Sequence, residues 1–144
     1  MKIVGFNFTK ISSWRSPDFK RTPISTNIEF KDIEKEKLEI LTDQEALKVL
    51  FNFSIVYQDK EAKKEEDKQG EVSFEGFLVL VATKEEAKDI QKNWKKKKLS
   101  PALQIPLYNF ILKKCTPKAV FLEDELNLPS HMPIPQVSAQ KKEE

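Results

Sequence analysis

The residues that could carry chemistry are few and far apart. The chain has one cysteine, Cys115, and one histidine, His131, in 144 residues. A cysteine nucleophile needs an imidazole beside it, but Cys115 follows two lysines in a helical stretch and reads as a small core residue. His131 falls in a proline-rich loop and reads as exposed. One histidine and one cysteine cannot supply the nitrogen and sulfur donors of an ordinary zinc site, so no metal is expected. Three glycines are too few for a glycine-rich phosphate loop. Glu123, Asp124 and Glu125 are adjacent acids on a short turn, as surfaces commonly carry. No cofactor is expected, and an enzyme would need a pocket with convergent polar groups that the sequence does not announce.

Composition narrows the class. Hydrophobic residues make up 39% and charged residues 33%, which suits one globular domain with a heavily charged surface. A formal net charge of +2 is too small to argue for nucleic acid, where a strongly basic face is expected. A single cysteine fits a reducing compartment, the first residues lack the apolar core of a signal peptide, and no apolar run is long enough to span a bilayer. The expectation is a cytoplasmic protein without membrane insertion.

The elements that would position any site follow from hydrophobic period. Residues 2–12 alternate, with Val4, Phe6 and Phe8 on one face and Ile3, Gly5 and Asn7 on the other. Trp14 and a two-proline loop (15–23) follow. Residues 24–30 alternate again through Ile24, Ile28 and Phe30. Residues 31–45, with Ile33, Leu38 and Ile40, suit either a charged helix or an edge strand, and strand is slightly favoured. Residues 46–58 and 71–82 are the strongest strands, joined by a charged loop as an antiparallel hairpin. On the first of these, Leu47, Val49, Phe51, Phe53, Ile55 and Tyr57 share a face. Thr83 with Glu86 three residues on is a capping box opening a helix over 84–98. That helix carries seven lysines against three acids, and its lysine-rich end reads as a solvated terminus or as a patch for an acidic partner.

The stretch "LSPALQIPLYNFILKKC" (99–115) poses the sharpest question. Ser100 caps and Pro101 takes the first helical position, but Pro106 falls where the helix interior should be. A proline there costs about 3 kcal/mol. The expectation is therefore a break near Ile105 and a second helix from about 106 to 115, with one more helical turn within 119–129. Residues 128–137 contain three closely spaced prolines and read as extended, and 138–144 as a disordered tail.

In this order the elements resemble the SecB family of export chaperones. "FNFTKISSWRSPDF" (6–19) resembles the family's first strand, which ends in an aromatic, a polar run and a proline. "EVSFEGFLVL" (71–80) is similar to the stretch in which an acidic residue and an aliphatic or aromatic pair precede Gly-Ile-Phe. "LSPALQIPLYNFILKKC" keeps Pro101, Pro106 and Tyr108 in the spacing with which the family opens its principal helix, and 124–137 resembles the leucine and proline segment after it. The likeness runs from residue 3 to about 137, a single domain of residues 1–137. It departs from the family in lacking the last amphipathic helix, and the chain is not acidic, so contact with the export motor ATPase is not carried over.

The resemblance implies an α+β fold, one antiparallel sheet of about four strands with a principal helix and shorter helices. It also implies a homotetramer, a dimer of dimers, with Leu107, Phe110 and Ile111 buried between subunits. The function it implies is an ATP-independent holdase for unfolded or preprotein chains. The expected client groove is lined by Trp14, Ile24, Ile28, Phe30, Ile33, Leu38 and Ile40. The competing reading is a structural or adaptor subunit whose apolar patch fits one dedicated protein partner.

Overall fold

A computed structural model describes residues 1–37, 43–59, 61 and 64–139. Four strands, β1 (Lys2–Arg15), β2 (Ile24–Glu36), β3 (Gln44–Tyr57) and β4 (Gly70–Thr83), form one antiparallel sheet in the order β1-β4-β3-β2. Two helices follow, α1 (Lys84–Trp94) and α2 (Pro101–Glu125). This is the α+β architecture expected, with a long and a short helix on one face of the sheet.

The period-two pattern decides which face the helices cover. Leu47, Val49, Phe51, Phe53, Ile55 and Tyr57 of β3 are all buried, and so are Val72, Phe74, Leu78 and Leu80 of β4. The register sets Phe53 opposite Phe74 and Val49 opposite Leu78, so these rings and aliphatic chains form one slab under α2. Each fully buried side chain of this size contributes roughly 1.5–3 kcal/mol.

β1 departs from simple alternation. Its register shifts between Ile3 and Gly5 and again between Phe8 and Lys10, as a β-bulge does by inserting one unpaired residue. Ile3 therefore lies opposite Leu80 and shares the helix side with Phe6 and Phe8, whereas strict alternation had grouped it with Gly5 and Asn7. Beside the second shift, Gly76 cannot carry a side chain: a Cβ there would lie 2.3 Å from the Asn7 carbonyl oxygen and 3.1 Å from Phe51 Cζ. The glycine of the "FEGF" stretch is a packing requirement.

The capping box forms as read. Thr83 Oγ1 accepts from Glu86 N–H (3.2 Å), and Glu86 Oε1 accepts from Thr83 N–H (3.0 Å). The expected break at Pro106 does not occur. α2 runs unbroken through Pro106 and Pro117. Both prolines are exposed and lie eleven residues apart, about three turns. The two missing N–H groups thus fall on one solvent side, where the carbonyls they leave unpaired can bond water. Packing of the other side outweighs the propensity loss.

That packed side is a row of six buried residues four apart: Leu103, Leu107, Ile111, Cys115, Ala119 and Glu123. Each step of four overshoots a full turn by about 40°, so the row winds round the helix and α2 lies obliquely over the sheet. Tyr108 stacks on Phe30 of β2 (5.0 Å), Phe110 meets Phe6 of β1 (5.6 Å), and Glu123 reaches Tyr57 at the end of β3.

Candidate functional site

The oblique course of α2 leaves an open groove beside the edge strand β2. Ile28, Glu29 and Phe30 of β2, Trp94 of α1, Lys97 and Leu99 of the connection, and Gln104 and Tyr108 of α2 line it, with a volume of about 290 Å³. Three aromatic rings from three elements meet there. Trp94 is fixed by its indole Nε1–H, which donates to Asp32 Oδ1 (3.2 Å), and Tyr108 Oη accepts from Gln104 Nε2 (2.8 Å). The volume is at the lower end for small-molecule sites and suits one large side chain of an extended segment.

The lysine-rich end of α1 closes this groove by unusual means. Lys98 N–H donates to Asn93 O (3.2 Å) and Lys97 N–H to Trp94 O (2.7 Å), the paired bonds of a Schellman ending. The residue between helix and exit is then left-handed, and here it is Lys97 at φ 57°. Its ammonium lies 4.6 Å from the centre of the Trp94 ring. α2 ends the same way, but with Asn127 at φ 52°, a residue that tolerates this conformation.

Of the expected lining, Ile28 and Phe30 border the groove, and Ile24 and Ile33 continue the same face of β2, with Ile33 wholly in the core. Leu38 and Ile40 lie outside the described residues. Trp14 is not brought to this site. It stands 40% exposed on the opposite edge strand and, paired with Glu71, on the opposite face of the sheet. Trp94, Leu99 and Tyr108 were not singled out as lining; a tryptophan in a lysine-rich helix end was the available signal.

The residues expected between subunits pack within the chain itself. Leu107 and Ile111 are fully covered by the chain's own sheet, and Phe110 is half-buried against Phe6. Leu107 and Ile111 belong to the row that α2 buries, and Phe110 packs beside it. The large apolar residues that α2 does expose are Ile105 (59%) and Phe121 (62%). Phe121 borders a second groove of about 370 Å³ with Ile11, Pro117, Lys118 and Leu122, beside the other edge strand.

Glu123 and His131 are also not surface residues. Glu123 is 1% exposed and ends the buried row of α2. Tyr57 Oη donates to Glu123 Oε2, and Pro129 O lies 2.6 Å from the same hydroxyl. His131 N–H donates to Glu123 Oε2 (2.9 Å), and His131 Nδ1 is 2.8 Å from Glu123 Oε1. Burial, and then the carboxyl beside it, holds the Tyr57 hydroxyl well above the usual tyrosine range. The cluster is filled by its own side chains and fastens residues 128–131 to the end of β3. Cys115 is buried as expected, and burial pushes its thiol up to about 12.

Among the described residues no helix is long and apolar enough to cross a membrane. No protein-family model and no curated protein matches the sequence. Among solved structures, the chain is similar to the Mycobacterium tuberculosis Rv1957 SecB-like chaperone, solved in complex with a ChAD peptide from the Rv1956 HigA1 antitoxin. The identity is 14%, the TM-score is 0.48, and the match covers 97% of this chain and 92% of that one.

Proposed function

We propose that the protein is a cytoplasmic, ATP-independent holdase that binds unfolded polypeptide segments through the groove between β2, α1 and α2. The observation that carries this reading is the lining itself: Ile28, Phe30, Trp94, Leu99 and Tyr108, set among Glu29, Lys97 and Gln104, form an open trough of mixed character beside an edge strand. Extended segments lie naturally along such an edge. The sequence resemblance to the export chaperones supports the same reading.

The energetics favour several grooves acting together. Burying one aromatic side chain removes about 200 Å² from water, roughly 5 kcal/mol at 25 cal/mol per Å². Association costs about 4–15 kcal/mol in lost freedom, so one groove holds a client only weakly. Grooves repeated in an oligomer act on one long chain with a high effective concentration. A homotetramer meets that need, and the outward residues Ile105 and Phe121 are the apolar surface α2 offers to a second subunit.

The test is suppression of aggregation of a chemically denatured, unrelated protein without nucleotide, with mass in solution measured alongside. Suppression at a few-fold excess, weakened by Ile28→Ser with Phe30→Ser, is the expected result. If wild type leaves aggregation untouched while capturing one folded partner, it is the adaptor of the competing reading.

A further inference from the structure

The groove sets three aromatic rings among polar side chains, and its rim is not neutral. Lys95, Lys96, Lys97 and Lys98 stand in sequence at the end of α1, and Lys97 itself lines the groove. Among the described residues none of the four takes part in an ion pair. The acids at the same rim are engaged: Glu29 pairs with Lys31 at 3.4 Å, and Asp32 Oδ1 accepts from Trp94 Nε1 (3.2 Å) and from Ile33 N–H (2.9 Å). The unpaired field at the mouth of the groove is therefore positive.

Lys97 adds a second, independent observation. A left-handed helix exit is the place for glycine or asparagine, because a Cβ there is strained. α2 follows that rule with Asn127, and α1 breaks it with a lysine whose ammonium is held over Trp94. Strain kept at one exit of two identical motifs points to a use for the side chain.

Resting on the holdase reading, we propose that this groove selects extended segments in which a large apolar side chain is flanked by acidic residues. The apolar side chain enters between Phe30, Trp94 and Tyr108, and the carboxylates meet Lys97 and its neighbours. Charges at a rim govern choice of partner more than total affinity.

The test uses fluorescein-labelled decapeptides with a central Phe flanked by Glu, by Lys or by Gln, titrated against the full chain by fluorescence polarisation. Wild type should bind the Glu-flanked peptide about tenfold more tightly than the Lys-flanked one in about 50 mM salt, and the ratio should fall towards one in about 500 mM. Lys97→Gly relaxes the backbone and so folds at least as well as wild type. Combined with Lys95→Gln, Lys96→Gln and Lys98→Gln, it should bring the ratio within twofold, the Gln-flanked peptide on the same variant reporting any change in the contact that Lys97 makes with Trp94. A wild-type ratio near one or reversed, a ratio that survives the four substitutions, or no binding of any peptide overturns the proposal. If wild type still suppresses aggregation in those cases, only the charge preference falls. Loss of suppression as well removes the holdase reading beneath it.

Discussion

Replacing Tyr57 by Phe tests how residues 128–131 are fastened. The Tyr57 hydroxyl has one hydrogen and two oxygens within reach, Glu123 Oε2 and Pro129 O. In the Phe variant the buried Glu123 carboxyl keeps only its two His131 contacts. A hydrogen bond to a charged group is worth about 1.5–3 kcal/mol, and the loss should be of that size. With a urea slope of about 2 kcal/mol per molar, mid-range for small proteins, the midpoint should drop by about 1 M at constant slope. Limited proteolysis should then cut after residue 128 in the variant before it does in wild type. The alkaline limb gives a second signature. The folded hydroxyl holds its proton more tightly than the unfolded one, so its contribution is complete below about pH 10 and is lost as pH rises beyond it. Tyr57→Phe should flatten that limb. A midpoint shift under about 0.2 M, with unchanged cutting after residue 128, would refute the account of the cluster as a fastener.

Two further outcomes follow from burial and backbone. Cys115, buried with its thiol raised to about 12, should have about one thiolate in 10⁴ at pH 8; native protein should react with a thiol reagent only as fast as it opens, and rapid stoichiometric labelling would contradict its place under α2. Pro106→Ala restores an N–H to an exposed helix interior and should stabilise by about 2 kcal/mol after allowing for the freer unfolded chain; a variant less stable than wild type in urea would show that the proline is needed where it stands.

Strand faces were legible because a residue's partner across a strand is set by parity, and β3 keeps parity over its whole length. β1 does not, since its two register shifts are invisible to a period-two reading. Pro106 misled because local propensity was weighed without the packing of a 25-residue helix. Glu123 looked like a surface acid among acids, although it sits four residues beyond Ala119 in a row spaced by fours. Only the row as a whole marks it as buried, and only the fold shows that Tyr57 and His131 wait there. Trp14 was grouped with Ile24 and the residues after it as lining of one groove. The sheet order sends those two segments to opposite edges, and no local pattern carries that information.

The sheet order also sets a timetable. β2, β3 and β4 are consecutive neighbours, so each can pair with the one just made within microseconds. β1 is synthesised before all of them, yet its only neighbour is β4. About 55 residues must emerge between them, which at 5–20 residues per second takes about 3–10 s. During that interval Phe6 and Phe8 have no native strand to cover them, on a segment rich enough in apolar residues to pair with a foreign one. The pace of translation, as well as the sequence, thus governs how long a nascent copy carries an unclaimed strand.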